Sequence, residues 1–176
     1  SQLVNRTVKT HGMGESFLAE LIKDWEQKLE SDNIKLAYLP SPGIVKLRLS
    51  INGLNTIAAN KKLDHHINKL SLLIPKQIFG FGNDTMEQVV GSLLNTNNST
   101  VSTAESCTGG AIAKLFTSIS GSSNYYNGSV VAYTNKSKED ILKIDSLLIE
   151  KHGAVSQQVV ENMALKVKSL FHSDYG

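Results

Sequence analysis

The chain has little cysteine: Cys107 is its only one among 176 residues, so no disulfide can form within the chain. No apolar run approaches the roughly 20 residues that a transmembrane helix needs. The first residues also lack the charged-then-apolar layout of a signal peptide. These absences exclude a disulfide scaffold and a membrane-spanning protein, and they lead us to expect a cytoplasmic one.

An excess of charge of one sign is also missing. Lysine and arginine number 18 and aspartate and glutamate 16, which leaves a formal net charge of +2. Such a small excess predicts neither a nucleic-acid partner nor a membrane surface. The length is enough for one large domain or two small ones.

The first half of the chain has the pattern of a small α+β domain. Apolar residues at helical spacing predict one helix after Ser16, which we expect to cap it, and another over residues 54–74, ended by Pro75. The turn signal at 40–43 (PSPG) joins two alternating segments into a hairpin. The predicted strands are 1–10, 34–39, 44–51 and 78–81.

Strands and helices alternate in the second half, which is typical of a layered βαβ domain. We expect Asp84 to cap the first helix of this half. The predicted helices are 86–94, 109–118, 136–150 and 156–172, and the predicted strands are 101–104 and 129–133. The chain is thus predicted to be α/β, with domains at 1–83 and 84–176. Residues 174–176 have the pattern of a further strand, so we expect the second domain to be truncated.

The segment 103–110 (TAESCTGG) lies where a strand gives way to the start of a helix. Unpaired N–H groups and the positive end of the helix dipole can stabilise a phosphate there, or the oxyanion of acyl transfer. Ser106 is therefore a candidate nucleophile, with Thr108 as a secondary hydrogen-bonding group. Serine is also a favoured helix cap, and the pattern leaves both roles open. We expect Cys107 to be a small buried residue.

A second cluster contains Tyr133, at the end of a predicted strand, and Lys138 about one helical turn beyond. A serine hydroxyl needs a base, and a lysine can act as one if burial or a nearby cation lowers its pKa from about 10.4. A packed tyrosine and a solvated lysine are the alternative. His65 and His66 are adjacent and point to different helix faces, and no zinc-ligand spacing occurs.

The octet 103–110 resembles the signature of the CinA C-terminal domain, the nicotinamide mononucleotide deamidase family, whose members are also described as competence- or damage-inducible proteins. Residues 1–92 resemble, more loosely, that family's KH-like middle domain through 12–16 (GMGES) and the hairpin 36–50. The other matching positions, in the family's order, are Gly121-Ser122-Ser123, 131–135 (VAYTN), Lys138 and 152–156 (HGAVS).

This resemblance implies a metal-independent, cofactor-free amidohydrolase of linear amides in NAD metabolism. It would convert nicotinamide mononucleotide to nicotinate mononucleotide and ammonia. The implied nucleophile is Ser106, and Tyr133 and Lys138 form the activating pair. The residues implied to shape the substrate pocket are Glu105, Thr108, Gly109 and Gly110. The family's N-terminal domain and the segments that follow position 176 have no counterpart here, so we expect this chain alone to be weak or inactive.

The expected partners have two sources, the family resemblance for the substrate and the open sheet edge for a second copy of the chain. They are the small nucleotide substrate and a second copy of the chain, because an open sheet edge can pair with another. The alternative function is a non-catalytic KH-like scaffold or a module that binds single-stranded nucleic acid. KH domains clamp RNA with a GxxG loop, and residues 1–92 contain none, so we expect no nucleic-acid partner.

Overall fold

The computed structural model describes residues 3–53 and 55–176, which form two compact units that divide between Met86 and Glu87. The strands are β1 (Val4–His11), β2 (Ile34–Ser41), β3 (Ile44–Ile51), β4 (Ile78–Phe81), β5 (Val101–Glu105) and β6 (Tyr126–Val131). The α-helices are α1 (Glu15–Glu30), α2 (Thr56–Leu73), α3 (Met86–Thr96), α4 (Ala111–Thr117), α5 (Asn135–Asp140), α6 (Ser146–His152) and α7 (Gln157–Phe171). Within the described ranges, no helix has both the length and the apolar character needed to cross a bilayer. The predicted α/β class is confirmed.

The first unit is an antiparallel sheet in the order β2-β3-β1-β4, covered on one face by α1 and α2. Alternate residues of each strand face the helices, as the period of two requires. In the β1–β3 register, for example, Val8 lies opposite Leu47, and both are fully buried. The buried helical residues against them are Leu18, Ile22, Trp25 and Leu29 of α1 and Ala59, Leu63, Ile67 and Leu70 of α2.

The β2–β3 hairpin is tighter than the sequence predicts. Pairing continues through Pro40 and Ser41 to Ile44, so that only two residues form the loop. Gly43 occupies the left-handed region with φ 73°, which suits a residue without a Cβ. Pro40 fits because β2 is an edge strand, where a missing N–H interrupts no ladder.

Two predicted helix caps are wrong. Helix α1 begins at Glu15 with Gly14 as its N-cap, so Ser16 lies inside the first turn. The carboxylate of Asp84 accepts a hydrogen bond from the N–H of Phe81 at 2.8 Å, which closes the turn after β4 instead of capping α3. Residues 1–2 of the first predicted strand and residue 54 of the second predicted helix lie outside the described residues.

The second unit has β5 and β6 paired in parallel, and Tyr175 adds an isolated parallel bridge to Val101. Successive residues of β5 face opposite sides. Val101 packs with Leu94, Tyr125 and Tyr126, whereas Ala104 packs with the core built on α7. The buried α7 residues in that core are Val159, Met163 and Val167.

Two elements of the second unit differ from the sequence prediction. Strand β6 covers Tyr126–Val131, so Tyr133 follows the strand instead of ending it. The predicted helix 136–150 is two helices, α5 and α6. Lys143 has φ 56° between them, and the carboxylate of Asp145 starts α6 by accepting from the N–H of Leu147 at 2.9 Å.

Candidate active site

The corner after β5 is built by two consecutive glycines. Gly109 and Gly110 have φ values of 59° and 96°, a conformation that side-chain-bearing residues rarely adopt. Gly110 is the N-cap of α4, and the N–H of Gly109 donates to the carbonyl of Ser106 at 3.0 Å to close the turn. Ser106 therefore does not cap the helix, which removes the structural alternative that the sequence leaves open for it.

The carboxylate of Glu105 fills the start of α4. Its side chain is buried and accepts from the N–H groups of Gly110 at 3.1 Å, Ile112 at 3.0 Å and Ala113 at 2.8 Å. The sequence predicts that such groups are free for a ligand anion, and for these three that prediction is wrong. Burial opposes ionisation of Glu105, but the backbone N–H groups, together with the Thr108 side chain, outweigh it and lower the pKa of the carboxyl.

Lys138 lies on α5 with its side chain buried at 2% exposure, so the solvated alternative is excluded for this lysine. Its Nζ is 3.2 Å from the Oγ of Ser106, 2.9 Å from the carbonyl oxygen of Ala132 and 3.4 Å from that of Tyr133. The N–H of Ala132 in turn donates to the carbonyl of Glu105 at 2.8 Å. Glu105 thus connects the loop that carries Ser106 to the segment that holds the amine.

Tyr133 and Cys107 occupy different environments from those expected. Tyr133 offers the Lys138 amine its main-chain carbonyl, while its side chain belongs to a residue that is 71% exposed. A role of the phenol in the activating pair stays a prediction. Cys107 is exposed, so the expectation of a buried thiol is wrong. The reason is local: the residue lies on the turn between β5 and α4, where no second layer covers it.

A cavity of about 580 Å³ opens beside Ser106. One wall is the corner itself, including Glu105 and Thr108, and the other is formed by residues 154–157 and by α7. Sequence reasoning missed the apolar residues Ile112, Val160 and Met163, because nothing in a helical repeat tells which member faces a cavity formed by a distant segment. Gly109 and Gly110 shape the turn beside this cavity without lining it, and their role in a substrate pocket stays a prediction.

No group of three or more His, Cys, Asp or Glu side chains within residues 3–53 and 55–176 could hold a metal ion. His65 and His66 do lie on different faces of α2, the first exposed and the second buried.

Comparison with known families and sequences gives consistent matches over almost the whole chain. Residues 83–176 match the family model "CinA C-terminal domain", and residues 5–80 match "Damage-inducible protein CinA KH domain". The chain is 46% identical over 174 residues to a CinA-like protein of Cytophaga hutchinsonii and 47% identical over 174 residues to one of Flavobacterium psychrophilum. These alignments include 99% and 98% of this chain but 41% of each relative, so the chain spans about two fifths of their length.

Solved structures agree over the part of the chain that they share. A competence or damage-inducible protein from Enterobacter asburiae has a TM-score of 0.50 at 27% identity, over 52% of this chain and 60% of that one. A CinA superfamily protein from Enterobacter cloacae has a TM-score of 0.50 at 26% identity, over 53% of this chain and 58% of that one.

Proposed function

The chain belongs to the CinA family, and from that premise we propose that its second unit is an amidohydrolase centre for the carboxamide of nicotinamide mononucleotide. The products are nicotinate mononucleotide and ammonia. The observation that carries the proposal is the pair formed by Ser106 and Lys138. A hydroxyl that borders a cavity lies 3.2 Å from a buried amine, which is the relation that nucleophile and base require.

The contacts of the amine orient it for proton transfer. The Lys138 amine donates hydrogen bonds to the carbonyl oxygens of Ala132 and Tyr133. Its third position faces the Oγ of Ser106. In the neutral amine this last position holds the lone pair, which takes the hydroxyl proton as Oγ bonds to the carboxamide carbon. The resulting ammonium returns the proton to the departing nitrogen, which leaves as ammonia. Water then hydrolyses the Ser106 ester to the carboxylate.

The backbone after Ser106 can stabilise the negative charge that develops on the carboxamide oxygen. Within the part of the chain that the structure describes, the N–H groups of Cys107 and Thr108 have no hydrogen-bond partner. Backbone N–H groups next to a nucleophile are a common source of oxyanion stabilisation. This role needs no N–H group of α4, whose first donors are already taken by the carbonyl of Thr108 and the carboxylate of Glu105.

The cavity supports an aromatic amide as the substrate. Its lining includes Ile112, Val160 and Met163, which suit a flat pyridine ring, whereas the polar groups of Ser106 and Thr108 lie on the wall where a carboxamide would react. A volume of about 580 Å³ is within the ordinary range for a site of a small molecule.

The test is to incubate the purified chain with nicotinamide mononucleotide, at an enzyme concentration high enough to detect the weak turnover expected of this chain alone, and to quantify ammonia and nicotinate mononucleotide. We expect Ser106→Ala to abolish turnover and Cys107→Ala, which removes the neighbouring thiol, to retain most of it. Free nicotinamide has the same carboxamide and serves as the control for recognition of the nucleotide part. Turnover that survives Ser106→Ala would overturn the mechanism. Calorimetric binding without turnover would agree with the expectation that this chain alone is inactive, whereas an absence of binding would overturn the proposed substrate.

A further inference from the structure

The sheet of the first unit has one face that neither of its helices covers. The helix side carries Val4, Val8 and Thr10 of β1 and the buried odd-numbered residues of β3. Side chains alternate along a strand, so the intervening residues lie on the other side, here called the open sheet face. Its members are Asn5, Thr7, Lys9 and His11 of β1, Lys35, Ala37, Leu39 and Ser41 of β2, and Ile44, Lys46, Arg48 and Ser50 of β3.

The strand register gathers cations on this face. Lys9 lies directly opposite Lys46, which places two like charges in one cross-strand pair, with Cβ atoms about 5 Å apart. Arg48 follows Lys46 at a distance of about 7 Å along β3, and Lys35 is its diagonal neighbour on β2 at about 7–8 Å. The four cations therefore form a continuous band across three strands.

Among the described residues, none of the four cations lies within ion-pair distance of a carboxylate. The side chain of Asp84 folds against Gly80, the residue opposite Lys9 on β4, and its carboxylate accepts from the N–H of Phe81. The ammonium of Lys9 donates to the main-chain carbonyl of Asp84. Because a carbonyl is neutral, this hydrogen bond gives Lys9 no ion-pair partner. Like charges side by side cost stability, and a polyanion removes that cost.

An aromatic pair lies at the end of the band. The register of β1 with β4 shifts between Lys9 and Thr10, which leaves Phe79 as the extra residue of a bulge. Its ring contacts the ring of His11 edge to face, with centroids 6.0 Å apart. Both rings thus lie beside the cations, and Phe79 is only partly buried.

We propose that the open sheet face binds single-stranded nucleic acid. A phosphodiester chain supplies closely spaced negative charges that match the band, and a base can stack on Phe79 or His11. A duplex presents no unstacked base to the rings, and an acidic peptide offers them no aromatic face. A single strand can use both the cationic band and the two rings. The net charge of +2 conceals this surface, because the acidic residues that balance it lie elsewhere.

The surface is independent of the GxxG loop that KH domains use and that residues 1–92 lack. Uncharged donors and acceptors lie between the cations, namely Asn5, Thr7 and Ser50. They can contact phosphate or sugar without reading a sequence, so we expect binding with little base preference.

The experiment measures fluorescence anisotropy of labelled oligothymidylate and oligouridylate with the intact chain over a series of salt concentrations. For single strands, log K falls with log salt by about 0.7 per phosphate contact. The double variant Lys46→Gln/Arg48→Gln should therefore weaken binding at low salt and reduce the slope by about 1.4. The matched control Lys23→Gln/Lys28→Gln removes two exposed charges from α1 and should leave the slope unchanged.

The aromatic contribution has its own matched pair. Phe79→Leu should weaken binding at least about fivefold without changing the salt slope, because a stacked base is lost while phosphate contacts stay. Phe81→Leu alters the same strand on the helix side, opposite Val8, and should have no effect. Circular dichroism establishes that each variant is folded.

Three results would overturn the proposal. The first is an absence of binding by the wild-type chain at low salt. The second is an equal effect of the sheet and helix double variants. The third is displacement of the oligonucleotide by polyglutamate at equal charge concentration, which would assign the band to an acidic polypeptide. None of these results bears on turnover of the amide at Ser106.

Discussion

The Nζ of Lys138 lies 3.2 Å from the Oγ of Ser106, although 32 positions separate the two residues in the chain. Glu105 stabilises the two segments that bring these residues together. Its carbonyl fixes Ala132, which accepts from the amine, and its carboxylate fixes the start of the helix that follows Ser106. A hydroxyl and an amine held from both sides in this way need little rearrangement to exchange a proton.

Replacing the amine should therefore affect the rate more than substrate binding. We expect Lys138→Ala to lower kcat by at least about 100-fold with KM changed little, because the general base is lost. Lys138→Arg should not restore the rate, since a guanidinium stays protonated. Steady-state kinetics check this, with Lys136→Ala as the control on the exposed side of the same helix. A raised KM with an unchanged kcat would instead make Lys138 a binding residue.

The carboxylate of Glu105 should be required for both stability and rate. Glu105→Gln keeps the shape but replaces one acceptor oxygen with a donor that faces backbone N–H groups. We expect the free energy of unfolding to fall by about 1–3 kcal/mol and kcat to fall with it. Urea denaturation and kinetics measure the two effects, and Glu150→Gln on the exposed face of α6 is the control. A stable variant with a raised KM alone would support the role of Glu105 in the substrate pocket that the family resemblance implies.

Asp32 should make the first unit sensitive to acid. Hydrogen bonds from Lys62 at 2.7 Å, and then from His66 at 2.8 Å, lower the pKa of Asp32 from 3.8 to about 2. A lowered pKa means that the stabilisation is present above the unfolded value and is lost as the pH falls through the folded one. Between pH 4 and pH 2, wild type should therefore lose more unfolding free energy than Asp32→Asn. Asp24→Asn on exposed α1 should follow wild type, and parallel curves for wild type and Asp32→Asn would contradict the prediction.

Gly91 should be intolerant of even one methyl group. A Cβ at this position of α3 would come within 2.6 Å of Cζ of Tyr125, a residue that is 2% exposed. We expect Gly91→Ala to lower the free energy of unfolding by about 1–3 kcal/mol, even though alanine favours a helix over glycine by about 1 kcal/mol. Chemical denaturation checks this against Ser92→Ala, which alters an exposed neighbour. An unchanged or higher midpoint for Gly91→Ala would show that the tyrosine ring moves aside.

Local patterns were enough for most elements of the fold. The hairpin, the end of α2 at Leu73 shortly before Pro75 and the strand at 78–81 follow from alternation and turn residues, which act over a few positions. The predictions fail where a distant contact chooses between two local options. Ser16 had the right chemistry for a cap, yet Gly14 starts the helix, and Asp84 turns back to β4.

The sequence by itself determined the family, the α/β class and the corner where Ser106 sits, because the paired glycines and the octet around them are local and specific. Only the tertiary structure decided that Lys138 is buried against Ser106, that Cys107 is exposed and that Glu105 occupies the start of its own helix. It also decided that cations from three strands share one face. The physical reason is the same in each case: burial and charge at a residue depend on neighbours brought from far along the chain, and no local pattern contains them.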